Sequence, residues 1–292
     1  MDPLNLVRLA ALMERTSGRP EVSIGLIDGP VVTRHPDLTG ENLREVPGTN
    51  GAACAQTRSA ACLHGTFVAG ILSAKRNSSA PAICPGCTLL IRPVFAESTS
   101  GTEQTPSASP QELADAIVGC IDSGARIINL SLGLGQPSTK GEQELEQALN
   151  QAVGRNVLVV AAAGNQGTLG SSAITRHPWV IPVAACDFRG RPMNDSNLGS
   201  SIGRRGLSAP GDGITSLGAD GRSLTLGGTS VAVPFVTGTI ALLWSEFPYA
   251  TSAQVKLAVT QALTTRRASV VPPLLDAAAA YRILANKTVF TN

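Results

Sequence analysis

The chain has 292 residues, 43% of them hydrophobic but only 3% aromatic, and its 23 basic and 21 acidic side chains leave a formal charge of +2. So even a balance gives no electrostatic case for nucleic acid or an anionic membrane surface, and no uncharged apolar stretch approaches the roughly 18 residues that suggest a membrane span. The length suits one α/β domain with a core of Ala, Val, Leu and Ile, and no linker, repeat or low-complexity block divides it.

The opening residues, Met1-Asp2-Pro3-Leu4-Asn5-Leu6-Val7, lack the basic start and long apolar core of a secretory signal, so a cytoplasmic setting is expected. With Leu9, Ala10 and Leu12 they read as a short amphipathic helix packed on the body. Residues 1–20 are therefore expected to form an N-terminal extension and residues 21–292 a single domain. The extension is far shorter than the roughly 50 residues of a separate inhibitory domain.

Val22-Ser23-Ile24-Gly25-Leu26-Ile27 is a short apolar run ending in Asp28, the pattern of a buried parallel strand. Catalytic groups of open α/β sheets gather at the carboxyl ends of strands. That places Asp28 where chemistry occurs, although taken alone an acid at a strand end is more often a cap or turn residue. The chain has three histidines, and two of them, His35 and His177, precede prolines, which favours extended or turn backbone and a loop role. The third, His64, opens the apolar run His64-Gly65-Thr66-Phe67-Val68-Ala69-Gly70-Ile71-Leu72, so its imidazole is expected to project from a helix start.

The six cysteines fall into three groups. Cys54 and Cys62 bracket a short loop before His64. Cys84-Pro85-Gly86-Cys87 reads as a close pair in a surface turn, open to three interpretations: a local disulfide, half of a zinc site completed by Cys54 and Cys62, or a redox dithiol. Two local disulfides rank first, zinc second and the dithiol last, against the reducing conditions of the cytosol. Cys120 and Cys186 lie in apolar segments and read as inert buried thiols.

Further along, the polar loop Phe95 to Pro106 carries Glu97 and Glu103, which could favour basic substrate positions, although a solvated loop is the plainer reading. Pro110 to Ile117 and Gly141 to Leu149 have apolar residues at helical spacing. Ile127-Ile128-Asn129-Leu130-Ser131-Leu132-Gly133 is a buried strand opening into small residues, and Asn156 to Ala163 is another, ending in Gly164-Asn165. Such alternation of helices and buried strands means a parallel sheet wrapped on both faces.

Gly228-Thr229-Ser230-Val231-Ala232-Val233-Pro234 sets one serine among small residues before a helix that is apolar on nearly every face. Pro234 is expected in the first turn. Ser230 then sits at a helix N-terminus, where unpaired N–H groups and the macrodipole favour the oxyanion that forms when a hydroxyl attacks a carbonyl. Ser230 reads as a nucleophile, His64 as its base and Asp28 as the orienting carboxylate.

Together with His35-Pro36-Asp37-Leu38, Ala162-Ala163-Gly164-Asn165 and Leu207-Ser208-Ala209-Pro210-Gly211, these blocks resemble, in order, the subtilisin-like serine protease family from about Glu21 to about Leu263. The resemblance implies a three-layer α/β fold, a mostly parallel sheet with helices on both faces, and the triad Asp28, His64 and Ser230. It implies an oxyanion hole from the Asn165 amide and the Ser230 backbone N–H. Ser131, Leu132 and Gly133 would pair with substrate as an added strand, and Ala162, Ala163 and Gly164 would wall the pocket, with Gln166-Gly167-Thr168 near its floor.

After the aspartate the family usually has Ser or Thr and then Gly. Asp28-Gly29-Pro30-Val31 instead looks like the subtilases that mature ribosomally made peptides, the cyanobactin-maturation proteases in particular. The expected activity is that of a serine endopeptidase acting on a peptide or protein, with a peptide macrocyclase, a broadly degrading subtilase and an inactive peptide-binding pseudoprotease as alternatives. Macrocyclisation needs water kept from the acyl-enzyme, which relatives achieve with a helical cap, and the short stretch from Asp28 to His64 has no room for a large one. Calcium is a family habit at the position of Asp37, but the partner loop Ala74 to Pro81 lacks the carboxylates a hard cation wants. No metal and no cofactor is expected.

Overall fold

The structure, a computed structural model, describes residues 2–38, 40–48, 51–97, 108–132, 141–261 and 269–288. Two short helices, α1 (Pro3–Leu6) and α2 (Ala10–Arg15), precede β1 (Ser23–Asp28), β2 (Leu43–Glu45), α3 (Ala60–Ser73) and β3 (Thr88–Pro93). Helices and strands then alternate through α4 (Pro110–Asp122), β4 (Ile127–Leu130), α5 (Glu142–Gly154), β5 (Leu158–Ala162), α6 (Ala173–Arg176), β6 (Ile181–Cys186), α7 (Ser200–Arg205) and β7 (Leu207–Pro210). An antiparallel ribbon of β8 (Ile214–Leu217) and β9 (Ser223–Leu226) leads to α8 (Thr229–Glu246), α9 (Ser252–Thr260) and α10 (Ala277–Thr288).

The main sheet has the order β2-β3-β1-β4-β5-β6-β7 and is parallel in every pairing. Side chains alternate between its faces with the period of two that a strand imposes. Ile24, Leu26, Ile127, Val160 and Val183 share a core with Phe67 and Ile71 of α3 and with Val233, Val236 and Ile240 of α8. Ile27, Ile128, Val159 and Ala161 pack instead with Leu113 and Ile117 of α4 and Leu145 and Leu149 of α5. The result is three layers, and the alternation sends Asp28 to the face of Ile24 and Leu26, toward α3 and α8.

Local chemistry fixes the helix starts. At α4 the Ser109 side chain accepts from the Glu112 N–H while Glu112 reaches back to the Ser109 N–H, and Pro110 needs no partner in the first turn. The start of α8 differs from expectation. Helical backbone begins at Thr229, straight after Gly228 at φ +121°, so Pro234 falls in the second turn rather than the first. Its ring has no N–H for the carbonyl four residues back, which is that of Ser230.

The N-terminal segment is docked on the α3–α8 side. Val7 and Leu9 are fully buried, and Arg8 and Arg15 pair with Asp276 at 3.0 Å and Glu246 at 3.1 Å. The Arg76 guanidinium donates to the carbonyls of Met13, Thr16 and Ile83. This docking overturns one expectation: the Cys84–Cys87 turn is roofed by Ser17 and Gly18, through a Gly86 N–H to Ser17 carbonyl bond of 2.7 Å, and lies inside rather than on the surface. Both its cysteines are buried free thiols, not a disulfide. The hydrogen bond between them raises the pKa of Cys84 and lowers that of Cys87. Cys54 and Cys62 do form a disulfide, with Cα atoms 5.7 Å apart. Burial pushes the Cys120 and Cys186 thiols up to about 12, as inert thiols require. Among the described residues no helix is long and apolar enough to cross a membrane.

The Arg76 clamp sets a measurable accessibility. Arg76→Ala should lower stability by about 1–3 kcal/mol by leaving carbonyls unpaired, and Cys84 and Cys87 should react several-fold faster with a chromogenic disulfide reagent. An unchanged thiol reaction rate would show that the segment docks without the clamp.

Candidate active site

His64 owes its place to the start of α3. Ser59 caps the helix by accepting from the Cys62 N–H at 3.2 Å, and the Cys54–Cys62 disulfide ties the preceding loop to the first turn. The Glu97 carboxylate holds the same loop, accepting from the N–H groups of Ala55 at 3.0 Å and Gln56 at 2.9 Å. Glu97 is thus a structural anchor, not an acid facing substrate; Glu103 lies outside the described residues.

The helix presses on the end of β1. A Cβ at Gly29 would collide with the Ala61 carbonyl oxygen, and one at Gly65 with the carbonyl oxygens of Gly29 and Pro30. That contact gives the physical reason for Gly29: a serine or threonine after Asp28 has no room.

Asp28, His64 and Ser230 come together in one hydrogen-bonded line. Asp28 is fully buried, and its Oδ1 lies 2.7 Å from His64 Nδ1 while also accepting the Gly29 N–H at 2.6 Å. Its Oδ2 is buried without a partner. His64 Nε2 lies 2.9 Å from Ser230 Oγ. With Nδ1–H donating to the carboxylate, the Nε2 lone pair faces the serine hydroxyl. The His64 side chain is 23% exposed. Burial alone would lower its pKa, but the charge of Asp28 and the hydrogen bond to it outweigh burial, and the net shift is upward.

Asn165, just past the end of β5, is turned by Thr229. Its Oδ1 accepts from both the N–H and the hydroxyl of Thr229, each at 2.9 Å, which leaves the amide nitrogen free to donate. Thr229 Oγ also accepts the Gly164 N–H at 3.2 Å. Gly228 permits the approach, since a Cβ there would meet the Asn165 amide.

Ser131 and Leu132 are buried beyond Leu130, the last residue of β4 to pair with its neighbours; Gly133 lies outside the described residues. Ala162, Ala163 and Gly164 face them at the end of β5 and are held from behind. The Ala163 N–H bonds to the Val183 carbonyl at 2.9 Å. Asn197 donates to the Ala163 carbonyl from Nδ2 at 3.2 Å and to the Gly164 carbonyl from its backbone N–H at 2.8 Å. The Gln166 side chain is bound to Asn197 Nδ2 at 2.6 Å. Asn197 and Thr229 are the residues that sequence reasoning missed. Thr229 stood inside a motif beside the serine, whereas Asn197 acts across 34 positions with no local signal.

His35 and His177 stay outside this constellation. His35 Nδ1 accepts the Asp37 N–H at 3.1 Å, and His177 Nε2 lies 3.2 Å from Asn150 Oδ1. Burial pushes both down. Beside Asp37, the Lys75 ammonium donates to the Pro36 carbonyl at 2.6 Å and the Lys75 N–H to the Asp37 carbonyl at 2.8 Å, so those oxygens serve a lysine and do not fit a calcium site. Among the described residues the metal-capable atoms that converge are those of Cys54, Cys62 and Glu97, and the two sulfurs are bonded to each other.

A parallel three-layer α/β fold with an Asp–His–Ser line and an asparagine amide at the carboxyl ends of its strands defines the class of subtilisin-like proteins. The chain belongs to the subtilase family: the family model matches residues 19–279. It is 36% identical over 202 residues to the thermostable alkaline protease of Halalkalibacterium halodurans, covering 69% of this chain. The chain spans only 52% of that relative's length. Among solved structures, a variant of the protease domain of PatA superposes with a TM-score of 0.81 at 31% identity, covering 92% of this chain and 97% of that one. The prenylagaramide maturation protease PagA gives 0.81 at 30% identity over 94% and 98%.

The electrostatics make the three histidines separable by titration. Ring-proton NMR should show one imidazole, His64, titrating above 6.5 and the other two below it. Asp28→Asn should bring His64 below that value, because burial then acts without the compensating charge. A His64 that keeps its elevated titration in Asp28→Asn would contradict the assigned cause.

Proposed function

We propose that the protein is a serine endopeptidase whose Ser230 forms an acyl-enzyme. The observation that carries this reading is the unbroken line from buried Asp28 through His64 to Ser230, with the Asn165 amide free beside it. In this reading His64 Nε2 removes the Ser230 proton as Oγ attacks the scissile carbonyl, and Asp28 holds the tautomer and stabilises the imidazolium. The proton then passes from Nε2 to the leaving amine, and water repeats the sequence to release the acid. Negative charge on the carbonyl oxygen meets the Asn165 amide and the Ser230 N–H at the first turn of α8. Ser131 and Leu132, with Gly133, would pair with the substrate backbone, and Ala162, Ala163 and Gly164 would wall the pocket for the residue before the cleaved bond.

We assign the substrate as a precursor peptide cut at a defined site. Support comes from Asp28-Gly29-Pro30-Val31 and from the two maturation-type relatives, PatA and PagA, which match nine-tenths of the chain. Hydrolysis is favoured over macrocyclisation. Among the described residues, the stretch from β1 to α3 carries only a 3-10 turn at Gly40–Asn42 and the short β2, with no helix to roof the site.

A fluorophosphonate probe followed by peptide mapping should label Ser230 in the native protein and not in Ser230→Ala; absent labelling would sink the proposal. kcat/KM should rise with pH through a pKa above the ordinary histidine value, because the base works neutral and Asp28 favours its charged form. Asn165→Ala should cost about 10²–10³ in kcat with little change in KM. Cleavage of a diverse peptide library beside casein tests the substrate class. Slow, sequence-dependent cutting supports maturation, fast casein degradation rejects it, and cyclic products would move the assignment to transpeptidation.

A further inference from the structure

An amide sits where β4 calls for an aliphatic side chain. Asn129 lies between Ile128 and Leu130 in a fully buried strand, and its own exposure is 0%. It faces α8, as its period-two neighbour Ile127 does. Asn129 Nδ2 donates to Ser131 Oγ at 2.7 Å, and its Oδ1 accepts the Thr237 hydroxyl at 2.8 Å. Ser131 and Thr237 are themselves 2% and 0% exposed.

Thr237 lies seven residues past Ser230, about two helical turns and so on the same face of α8. Farther along that helix, the hydroxyls of Thr239 and Ser245 turn back on its own backbone, to the Phe235 and Ala241 carbonyls. Thr237 reaches across to the sheet. The relay Thr237–Asn129–Ser131 therefore ties the helix that carries Ser230 to the point where β4 leaves its last paired residue.

Stability alone does not call for such a relay, because replacing a buried hydrogen-bonded group by a well-packed apolar one is often nearly neutral. What the amide adds is register. Apolar packing of α8 on β4 tolerates small slides and rotations, whereas two short hydrogen bonds through one planar amide do not.

We propose that Asn129 and Thr237 are positioning residues that hold the substrate-pairing segment at Ser131–Leu132 in register with the Ser230 hydroxyl. This inference rests on the proteolytic reading above. Neither residue touches substrate; they act through Ser131 and through α8. Their loss misaligns an extended peptide against the nucleophile while leaving the line from Asp28 to Ser230 intact.

The test compares an extended peptide substrate, which uses the β4 edge, with p-nitrophenyl acetate, which does not. In Thr237→Val, kcat/KM for the peptide should fall about tenfold, mainly through KM, while ester hydrolysis and the rate of fluorophosphonate labelling stay within about twofold of native. Thr237→Ser, which keeps the hydroxyl, should restore peptide cleavage. Asn129→Leu replaces the amide of the relay by an apolar side chain of similar volume, and should show the same split if Thr237→Val folds poorly. Equal losses on both substrates, or peptide cleavage unchanged in both variants, overturns the inference while labelling of native Ser230 keeps the proteolytic reading. Native protein that is not labelled at Ser230 overturns both.

Discussion

The position of α3 against the end of β1 is the constraint on which the site depends. The Asp28 carboxylate is sealed from solvent and meets a protein hydrogen-bond donor at only one of its oxygens, so its fixed partners are His64 and the Gly29 N–H. The contact with His64 requires the helix to lie almost on the backbone of Gly29. The glycines at 29 and 65 remove the side chains that would hold the two elements apart. The Ser59 cap, the Cys54–Cys62 disulfide and Glu97 then fix the loop that leads into the helix. Geometry at the imidazole is thereby set by backbone-to-backbone contact, which is stiffer than contact between long side chains.

The two core layers divide the work. The layer beneath α4 and α5 is largely apolar, with the buried Arg92 lying against Gly119 and Cys120 of α4, and serves as a platform. The layer beneath α3 and α8 carries Asp28, Asn129 and Ser131 among its aliphatic residues, and these two helices carry His64 and Ser230 of the hydrogen-bonded line in their first two turns. Parallel strands bring Asp28 and Ser131 to one edge of the sheet, so groups far apart in sequence converge there.

Much of this was legible in the chain itself. Asp28, His64, Asn165 and Ser230 each close or open an apolar run, and a break in such a run marks where a strand or helix meets the surface. What escaped was tertiary. Pro234 was placed in the first turn of α8 because nothing local shows that helical backbone begins at Thr229. The Cys84–Cys87 turn has the composition of a surface turn, and the main core together with the docked N-terminal segment buries its cysteines. Glu97 looked like a solvated or substrate-facing acid, and its two backbone partners lie over forty positions away. Asn197 stands in a loop whose composition gives no hint that it bonds to the Ala163 carbonyl and the Gln166 side chain.

The proline of α8 has a mechanical consequence. Because Pro234 has no N–H, the carbonyl of Ser230 lacks its helical donor four residues on, beside the N–H that the proposed mechanism aims at an oxyanion. In the proposed mechanism, a tilt of the peptide unit that follows Ser230 would strain no hydrogen bond from Pro234. The rest of α8 is gripped on all sides by the core, so this compliance stops at the first turn. α8 thus combines a shaft buried along nearly its whole length with a first turn that is one hydrogen bond short.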